Sequence, residues 1–192
     1  MYEVIWHGRG GQGVVIAAQI LAESAYLQGF KGVTSAPTFG PERRGAPLTA
    51  STRISDTPIR TFSQIERADI VVVLDPTLFT AVNILGSLKP TGWLLVNTSQ
   101  QPDELDVTAG INVATVDAAA IALKFHLIKE GAPIVNTPML GVFARAAGIV
   151  DVEHMEKGLK WKLSGTAAAT NIAALRAAYE EARIKPGTSQ VP

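Results

Sequence analysis

A strand, a glycine-rich turn and a helix follow one another at the N-terminus, and this unit restricts the fold more than any other part of the sequence. The alternation over Tyr2–His7 predicts a short buried strand. Val14–Gln28 places its apolar residues on one helical face. Between them, Gly8, Gly10 and Gly13 fit the pattern G-x-G-x-x-G in the context that this pattern requires. The chain therefore starts as a βα unit.

The glycines of this turn have two interpretations. Without side chains, the backbone can turn sharply and bring its N–H groups and the helix N-terminus up to an anion. Alternatively, the glycines only allow the helix to pack closely on the strand. A nicotinamide-binding fold would add an acidic residue about 20 positions further on. Val33–Pro37 holds none, and Glu42 is the first carboxylate to follow, inside a different motif. This weakens the dinucleotide interpretation.

Further strands follow from runs of β-branched and apolar residues. Ile70–Leu74, Trp93–Asn97 and Asn112–Val116 are such runs, which are typical of parallel strands buried on both faces. A second strand is predicted around Gly32–Ala36. Leu48–Ile54 alternates apolar and polar residues, and we expect it to form an antiparallel hairpin with a short strand near 58–60.

Helical segments lie between the later strands and dominate the C-terminal part. They are predicted over 77–88, 117–130, 138–147, 152–163 and 166–183. The fold class is α/β: a single Rossmann-like domain, residues 1–184, with a mostly parallel central sheet, an antiparallel hairpin and C-terminal helices. Residues 185–192 hold prolines, glycine and small polar residues and are predicted to be a flexible or partner-bound tail.

A second loop, 37–47, carries adjacent arginines between prolines and glycines. Arg43 and Arg44 offer forked donors for phosphate or carboxylate. They could instead pair with Glu42 or with an acid of a partner subunit, or simply be solvated. The loop follows the second strand, so we expect it at the carboxyl edge of the sheet beside the glycine turn, where open α/β sheets bind ligands. Asp75 and Asn97 end later strands on that edge and are predicted to be cap or turn residues.

Composition excludes several kinds of site. The chain has no cysteine, so it cannot hold a thiolate-ligated iron–sulfur cluster, a disulfide or a thiolate zinc site. His7, His126 and His154 show no metal-ligand spacing. Lysine plus arginine equals aspartate plus glutamate at 17 each, which argues against a nucleic-acid-binding protein. With no apolar run near the roughly 20 residues of a membrane span and no leader pattern, we expect a cytoplasmic protein.

Three motifs in this order closely resemble the gamma subunit of 2-oxoacid:ferredoxin oxidoreductases, of which the pyruvate enzyme is the best known. They are residues 8–13, Gly-Arg-Gly-Gly-Gln-Gly; residues 39–45, Phe-Gly-Pro-Glu-x-Arg-Gly; and residues 136–141, Asn-Thr-Pro-Met-Leu-Gly. The resemblance runs from Met1 to about Arg183. Two details depart from the common pattern, with Phe39 in place of tyrosine and Ala46 in place of a second glycine.

The resemblance implies a role within a complex. Such enzymes convert a 2-oxoacid and coenzyme A to acyl-coenzyme A and carbon dioxide, with thiamine diphosphate and Mg²⁺ held between alpha and beta subunits through a G-D-G…N motif. No G-D-G triplet occurs here. Electrons pass through 4Fe–4S clusters of a ferredoxin-like subunit to ferredoxin, or to an NAD-linked flavin subunit. The resemblance fits pyruvate, 2-oxoglutarate, branched-chain and aryl 2-oxoacids alike, because the substrate pocket should lie on the thiamine-binding chains.

We therefore expect this chain to supply subunit contacts and part of the coenzyme A site, with no catalytic or metal-binding residue of its own. Two other classes stay open: a free-standing Rossmann dinucleotide-binding protein, and a purely structural subunit without a ligand. The candidate coenzyme A or anion contacts are the residues of the first two motifs that surround the predicted ligand: Gly8, Arg9, Gly10, Gly11, Gln12, Gly13, Phe39, Glu42, Arg43 and Arg44.

Overall fold

The structure, a computed structural model, describes residues 1–37, 44–61 and 63–187. These residues form two sheets and five α-helices. The strands are β1 Tyr2–Arg9, β2 Gly32–Pro37, β3 Pro47–Ser55, β4 Ala68–Val73, β5 Leu88–Asn97, β6 Asn112–Val116, β7 Ile128–Lys129, β8 Ala132–Pro133 and β9 Arg183–Lys185. The helices are α1 Val14–Gln28, α2 Ala118–Lys124, α3 Asn136–Ala147, α4 Val152–Lys162 and α5 Gly165–Glu181. Short 3-10 turns cover Pro76–Thr80, Leu85–Ser87 and Pro102–Glu104.

The central sheet of the described chain has seven strands in the order β2-β3-β1-β4-β5-β6-β9. Strands β1, β4, β5 and β6 run parallel, while β3 and β9 run antiparallel to their neighbours. The β-branched run of β4 is buried on both faces, as expected for a central parallel strand. This confirms the predicted mostly parallel α/β sheet and its C-terminal helices.

The two faces of the sheet are covered differently. On one face, the helices and the strands share one large core. In it, the Trp6 ring of β1 stacks on Phe143 of α3, with ring centroids 6.1 Å apart. On the opposite face, Val71 and Val73 pack with Leu78 and Ile84 from the irregular segment after β4. Both layers exclude water from the strands, and this burial is the main driving force for the fold.

The predicted hairpin between Leu48–Ile54 and 58–60 is wrong. Strand β3 is an interior strand that pairs with β1 on one side and β2 on the other, so both of its edges are occupied. After Ser55 the chain turns, with the Thr57 N–H donating to Ser55 Oγ (3.3 Å). Pro58 has no N–H to donate to a ladder, and 58–60 are outside any strand. The hairpin partner of β3 is β2.

The predicted helix over 77–88 is also wrong, because local side-chain hydrogen bonds replace helical ones. Asp75 caps the first 3-10 turn by accepting from the Thr77 N–H (3.0 Å). Further on, Asn83 Oδ1 accepts from the Gly86 N–H (3.0 Å), and Ser87 Oγ donates to the Ile84 carbonyl. Such short polar side chains compete with the backbone for its partners, which breaks the segment into turns.

Two further boundaries differ from the predictions. The helix predicted over 117–130 ends at Lys124, and β7 and β8 form a hairpin whose two central residues, Glu130 and Gly131, have φ values of 51° and 79°. Positive φ at both positions is the geometry of a type I′ turn. Helix α5 ends at Glu181, and the edge strand β9 begins at Arg183, the last residue of the predicted helix, and ends at Lys185, the first residue of the predicted tail.

Among the described helices, none combines the length and apolar character needed to cross a membrane.

Candidate functional site

The glycine turn joins the end of β1 to α1 at the carboxyl edge of the parallel strands. Gly11 and Gly13 have φ values of 99° and 79°, which favour glycine. Gly13 is the N-cap of α1, and within the described chain no side chain accepts a hydrogen bond from the first turn. A Cβ at Gly8 would lie 2.6 Å from Val14 Cγ2. The glycines therefore serve both interpretations of the sequence: they allow close packing, and they leave the amides of an uncapped helix N-terminus available.

Arg9, a predicted anion contact, is instead held within the chain. Its Nε lies 3.1 Å from Asp75 Oδ2, and its other nitrogens donate to the Gly45 carbonyl (3.0 Å) and to Thr77 Oγ1 (2.8 Å). The guanidinium thus ties together three segments at the carboxyl edge of the sheet.

Gln12 completes this network. Its Oε1 accepts from the Arg9 N–H (2.7 Å), and its Nε2 donates to Asp75 Oδ2 (3.1 Å). Burial raises the pKa of the Asp75 carboxyl, but hydrogen bonds from Thr77 and Gln12 and the charge of Arg9 outweigh that effect and lower the pKa below its usual value. Asp75 is therefore ionised and fixes the positions of these groups. Its hydrogen bond from the Thr77 N–H confirms the predicted capping role.

The described end of the second loop, residues 44–47, lies beside the glycine turn, as predicted. The Gly10 N–H donates to the Ala46 carbonyl (2.9 Å), and the Gly45 N–H donates to the Gly10 carbonyl (3.1 Å). Gly10 and Arg44 form an isolated parallel bridge. The predicted contacts Phe39, Glu42 and Arg43 lie outside the described residues.

Arg44 pairs with an acid that was not among the expected partners. Its NH1 bonds the carboxylate of Glu130, and its NH2 donates to the Glu130 carbonyl (3.2 Å). Glu130 lies at the tip of the β7–β8 hairpin, so the pair joins two segments 86 residues apart. Both side chains are largely exposed, at 66% and 61%.

A cleft of about 750 Å³ opens between the glycine turn and the hairpin. Its polar lining includes Gln12, Arg44, Asp75, Asn97, Lys129 and Glu130, and its apolar lining includes Val14, Val15, Ile16, Leu48, Leu74, Pro133, Ile134 and Val135. The volume is in the range of small-molecule sites. The arrangement suits a ligand with a phosphate near the first turn of α1 and the cations, and with an apolar portion along the wall.

Two features of this site were not predicted, one in the cleft lining and one behind the glycine turn. Lys129 and Glu130 lie inside the predicted helix, although Gly131, directly after them, is a signal for a turn. Asn136, noted only as part of a family motif, is buried and donates from Nδ2 to the Gly13 carbonyl (3.3 Å). The hydrogen bonds continue from Asn136 to Thr137, whose Oγ1 donates to Asn171 Oδ1 (2.8 Å). This buried polar chain supports the glycine turn from behind.

The histidines are separate from one another in the structure. Burial lowers the pKa of His7 to about 4, so its imidazole is neutral near pH 7. His126 is exposed just beyond α2, and His154 Nδ1 lies 2.7 Å from Asp151 Oδ1 in α4. Within residues 1–37, 44–61 and 63–187, no three side chains of the His, Cys, Asp or Glu types group as metal ligands would.

Comparisons with known proteins agree with the fold and the motifs. The family model described as "Pyruvate ferredoxin/flavodoxin oxidoreductase" matches residues 3–181. The chain is 46% identical over 187 residues to the "Pyruvate/ketoisovalerate oxidoreductases common subunit gamma" of Pyrococcus furiosus, which covers 96% of this chain and 98% of that protein.

Solved structures give the same result. The crystal structure of the pyruvate oxidoreductase subunit PORC of Thermotoga maritima superposes with a TM-score of 0.80 at 36% identity, covering 96% of this chain and 98% of that one. The 2-oxoglutarate:ferredoxin oxidoreductase of Magnetococcus marinus, solved with 2-oxoglutarate, coenzyme A and succinyl-CoA bound, shares the fold with a TM-score of 0.71 at 16% identity over 97% of this chain and 33% of that one. The chain therefore belongs to the pyruvate ferredoxin/flavodoxin oxidoreductase family, as a gamma-type subunit of a 2-oxoacid oxidoreductase.

Proposed function

We propose that this chain forms part of the coenzyme A site of a complex that oxidatively decarboxylates a 2-oxoacid to acyl-coenzyme A and carbon dioxide. The observation that carries the proposal is the cleft, in which an uncapped helix N-terminus, Arg44 and Lys129 meet beside an apolar wall. Coenzyme A combines several phosphate charges with a long, less polar arm, and these two chemical features match the two parts of the cleft. The Magnetococcus marinus enzyme of the same fold was solved with coenzyme A bound, which supports the proposal.

The redox chemistry belongs to other chains in this proposal. With no cysteine in its sequence, this chain has no thiolate for a 4Fe–4S cluster. We assign the clusters to a ferredoxin-like subunit, and thiamine diphosphate with Mg²⁺ to alpha and beta subunits. The final acceptor is ferredoxin or an NAD-linked flavin subunit. Residues of this chain bind and orient coenzyme A near its phosphates, and they contact the partner subunits.

Kinetics on the reassembled complex test the coenzyme A assignment. Arg44→Ala or Lys129→Ala removes one charge-assisted contact, worth about 1.5–3 kcal/mol, so the KM for coenzyme A should rise about ten- to a hundredfold. Arg43→Ala extends the test to the other arginine of the loop. The KM for the 2-oxoacid should barely change, and kcat at saturating coenzyme A should fall much less than kcat/KM.

Lys160→Ala, an exposed lysine of α4 outside the cleft lining, is the matched control for charge. An unchanged coenzyme A KM in the Arg44, Lys129 and Arg43 variants of an intact complex would contradict the proposal. Dissociation of the complex in the arginine variants would instead favour the purely structural subunit. A dinucleotide that co-purifies with the isolated chain would favour the free-standing Rossmann protein.

The isolated chain gives a second test. We expect it to show neither 2-oxoacid-dependent dye reduction nor visible iron–sulfur absorbance, because thiamine diphosphate and the clusters are assigned to other subunits. Turnover by this chain alone would overturn the assignment. Mass spectrometry of the chains that co-purify with it identifies the proposed partners directly.

A further inference from the structure

We propose that Glu130 is a built-in competitor that regulates the anion site: its carboxylate and a phosphate of the ligand compete for the guanidinium of Arg44. This inference rests on the proposed function. It assigns a role to Glu130, which belongs to the β7–β8 hairpin and to neither the glycine turn nor the arginine loop. It makes the β7–β8 hairpin the element that sets how strongly the cleft binds anions.

The geometry places Glu130 where it would compete. Arg44 is held twice by the same residue, through the carboxylate and through the backbone carbonyl of Glu130. Both residues line the cleft that also contains the first turn of α1. A guanidinium fork matches carboxylate and phosphate in the same way, so one anion excludes the other from these donors.

The pair is not needed to hold residues 44–46 of the second loop in place. That segment is already tied to the glycine turn by two backbone hydrogen bonds, Gly10 N–H to Ala46 and Gly45 N–H to Gly10. The Arg9 guanidinium also donates to the Gly45 carbonyl. Arg44 can therefore exchange its partner without releasing this segment, which distinguishes its exposed ion pair from the less exposed Arg9–Asp75 pair.

The pair is also weak enough to be displaced. Its side chains are 66% and 61% exposed, and ion pairs so open to water contribute little to stability. A ligand that carries several phosphate charges gains contacts with the α1 N-terminus and Lys129 as well as with Arg44. A ligand with a single carboxylate only replaces one carboxylate by another. The competition therefore selects for polyphosphate-bearing ligands.

Calorimetric titration of coenzyme A into the assembled complex tests this role. Glu130→Gln removes the competing charge and should tighten coenzyme A binding about two- to fivefold. Glu153→Gln makes the same change of charge on the exposed first turn of α4, outside the cleft, and should leave the Kd unchanged. In the double variant with Arg44→Ala, the gain from Glu130→Gln should disappear, because the residue for which the two anions compete is absent.

The outcomes distinguish a failure of the competition by Glu130 from a failure of the proposed function. If coenzyme A binds and Arg44→Ala weakens it, but Glu130→Gln binds with equal or lower affinity, Glu130 orients Arg44 for the ligand and only this inference is overturned. If no variant binds coenzyme A, the proposed function fails and this inference fails with it. Inorganic pyrophosphate serves as a second probe, and its Kd should shift in the same direction in Glu130→Gln.

Discussion

The guanidinium of Arg9 lies against the carboxylate of Asp75, with Nε 3.1 Å from Oδ2, and joins the ends of two neighbouring parallel strands. Their side chains are only 29% and 15% exposed. Arg9 also donates hydrogen bonds to the Gly45 carbonyl and Thr77 Oγ1, and Asp75 accepts one from Gln12. This partly buried ion pair therefore helps to fix the relative positions of the segments beside the cleft, together with the backbone hydrogen bonds between Gly10 and residues 45–46.

Replacing Asp75 by asparagine tests this pair. Arg9 keeps its charge in a half-buried position but loses its ionic partner, so we expect the free energy of unfolding to fall by about 1–3 kcal/mol. Chemical denaturation measures this change. Glu181→Gln removes the carboxylate of the exposed Lys124–Glu181 pair, whose atoms are 3.8 Å apart, and should leave stability almost unchanged. Equal effects of both substitutions would contradict the anchoring role.

The glycines of the turn should differ in their tolerance of a side chain. A Cβ at Gly13 would overlap the Asn136 side chain at a φ of 79°, whereas a Cβ at Gly11 meets no described atom within 4 Å at a φ of 99°. Gly11→Ala should cost about 1–2 kcal/mol of stability from backbone strain alone. Gly13→Ala should cost about 3 kcal/mol or more and weaken coenzyme A binding. Gly10→Val should also damage the turn or prevent assembly.

Comparison of the two alanine variants by thermal unfolding checks the prediction. A stable Gly13→Ala with normal coenzyme A affinity would mean that the turn and Asn136 are not packed as described.

Gly141 lies where α3 packs closely against the backbone of α5. A Cβ there would overlap the backbone oxygen of Leu175, which cannot move without shifting α5. Gly141→Ala should therefore destabilise the chain by several kcal/mol or prevent folding. Gly148→Ala, at the C-cap of the same helix with a φ of 63°, meets no described atom within 4 Å and should cost about 1–2 kcal/mol. Soluble yield and melting temperature measure both, and a Gly141→Ala variant as stable as Gly148→Ala would exclude a close crossing.

His7 should make stability depend on pH. Its pKa is lowered from 6.5 to about 4 by burial, so between these values the unfolded chain binds a proton that the folded chain does not. Stability should therefore fall as pH decreases through this interval, by about 3 kcal/mol in total from this residue.

In His7→Gln this component of the pH dependence should be absent, whereas His126→Gln, at an exposed position, should retain it. Denaturation midpoints measured between about pH 7.5 and about pH 4 give the comparison. A His7→Gln variant that loses stability with decreasing pH as steeply as the unsubstituted chain would place His7 in contact with water.

Local sequence was sufficient where short-range chemistry decides the structure. The β1–turn–α1 unit follows from an apolar strand, spaced glycines and one apolar helical face, all within 28 residues. The runs that became β4 and β6 are β-branched because both of their faces are buried, and that burial leaves a recognisable pattern. The placement of both loops at one sheet edge followed from the parallel direction of the strands.

Only the tertiary structure decided the partners of strands and charges. Strand β3 lies between β1 and β2. This position could not be predicted, because backbone ladders form between strands far apart in sequence and their pairing leaves no local signature. The sequence pattern predicts a helix over 117–130, yet residues 128–133 form a hairpin beside the cleft.

The same holds for the cations of the site. In the sequence, Arg9 and Arg44 are both candidate anion-binding residues. In the structure, Arg9 forms an ion pair with Asp75 and Arg44 forms one with Glu130. A charge pairs with the residue that the fold brings within about 4 Å, and this distance is set by the packing of the whole chain.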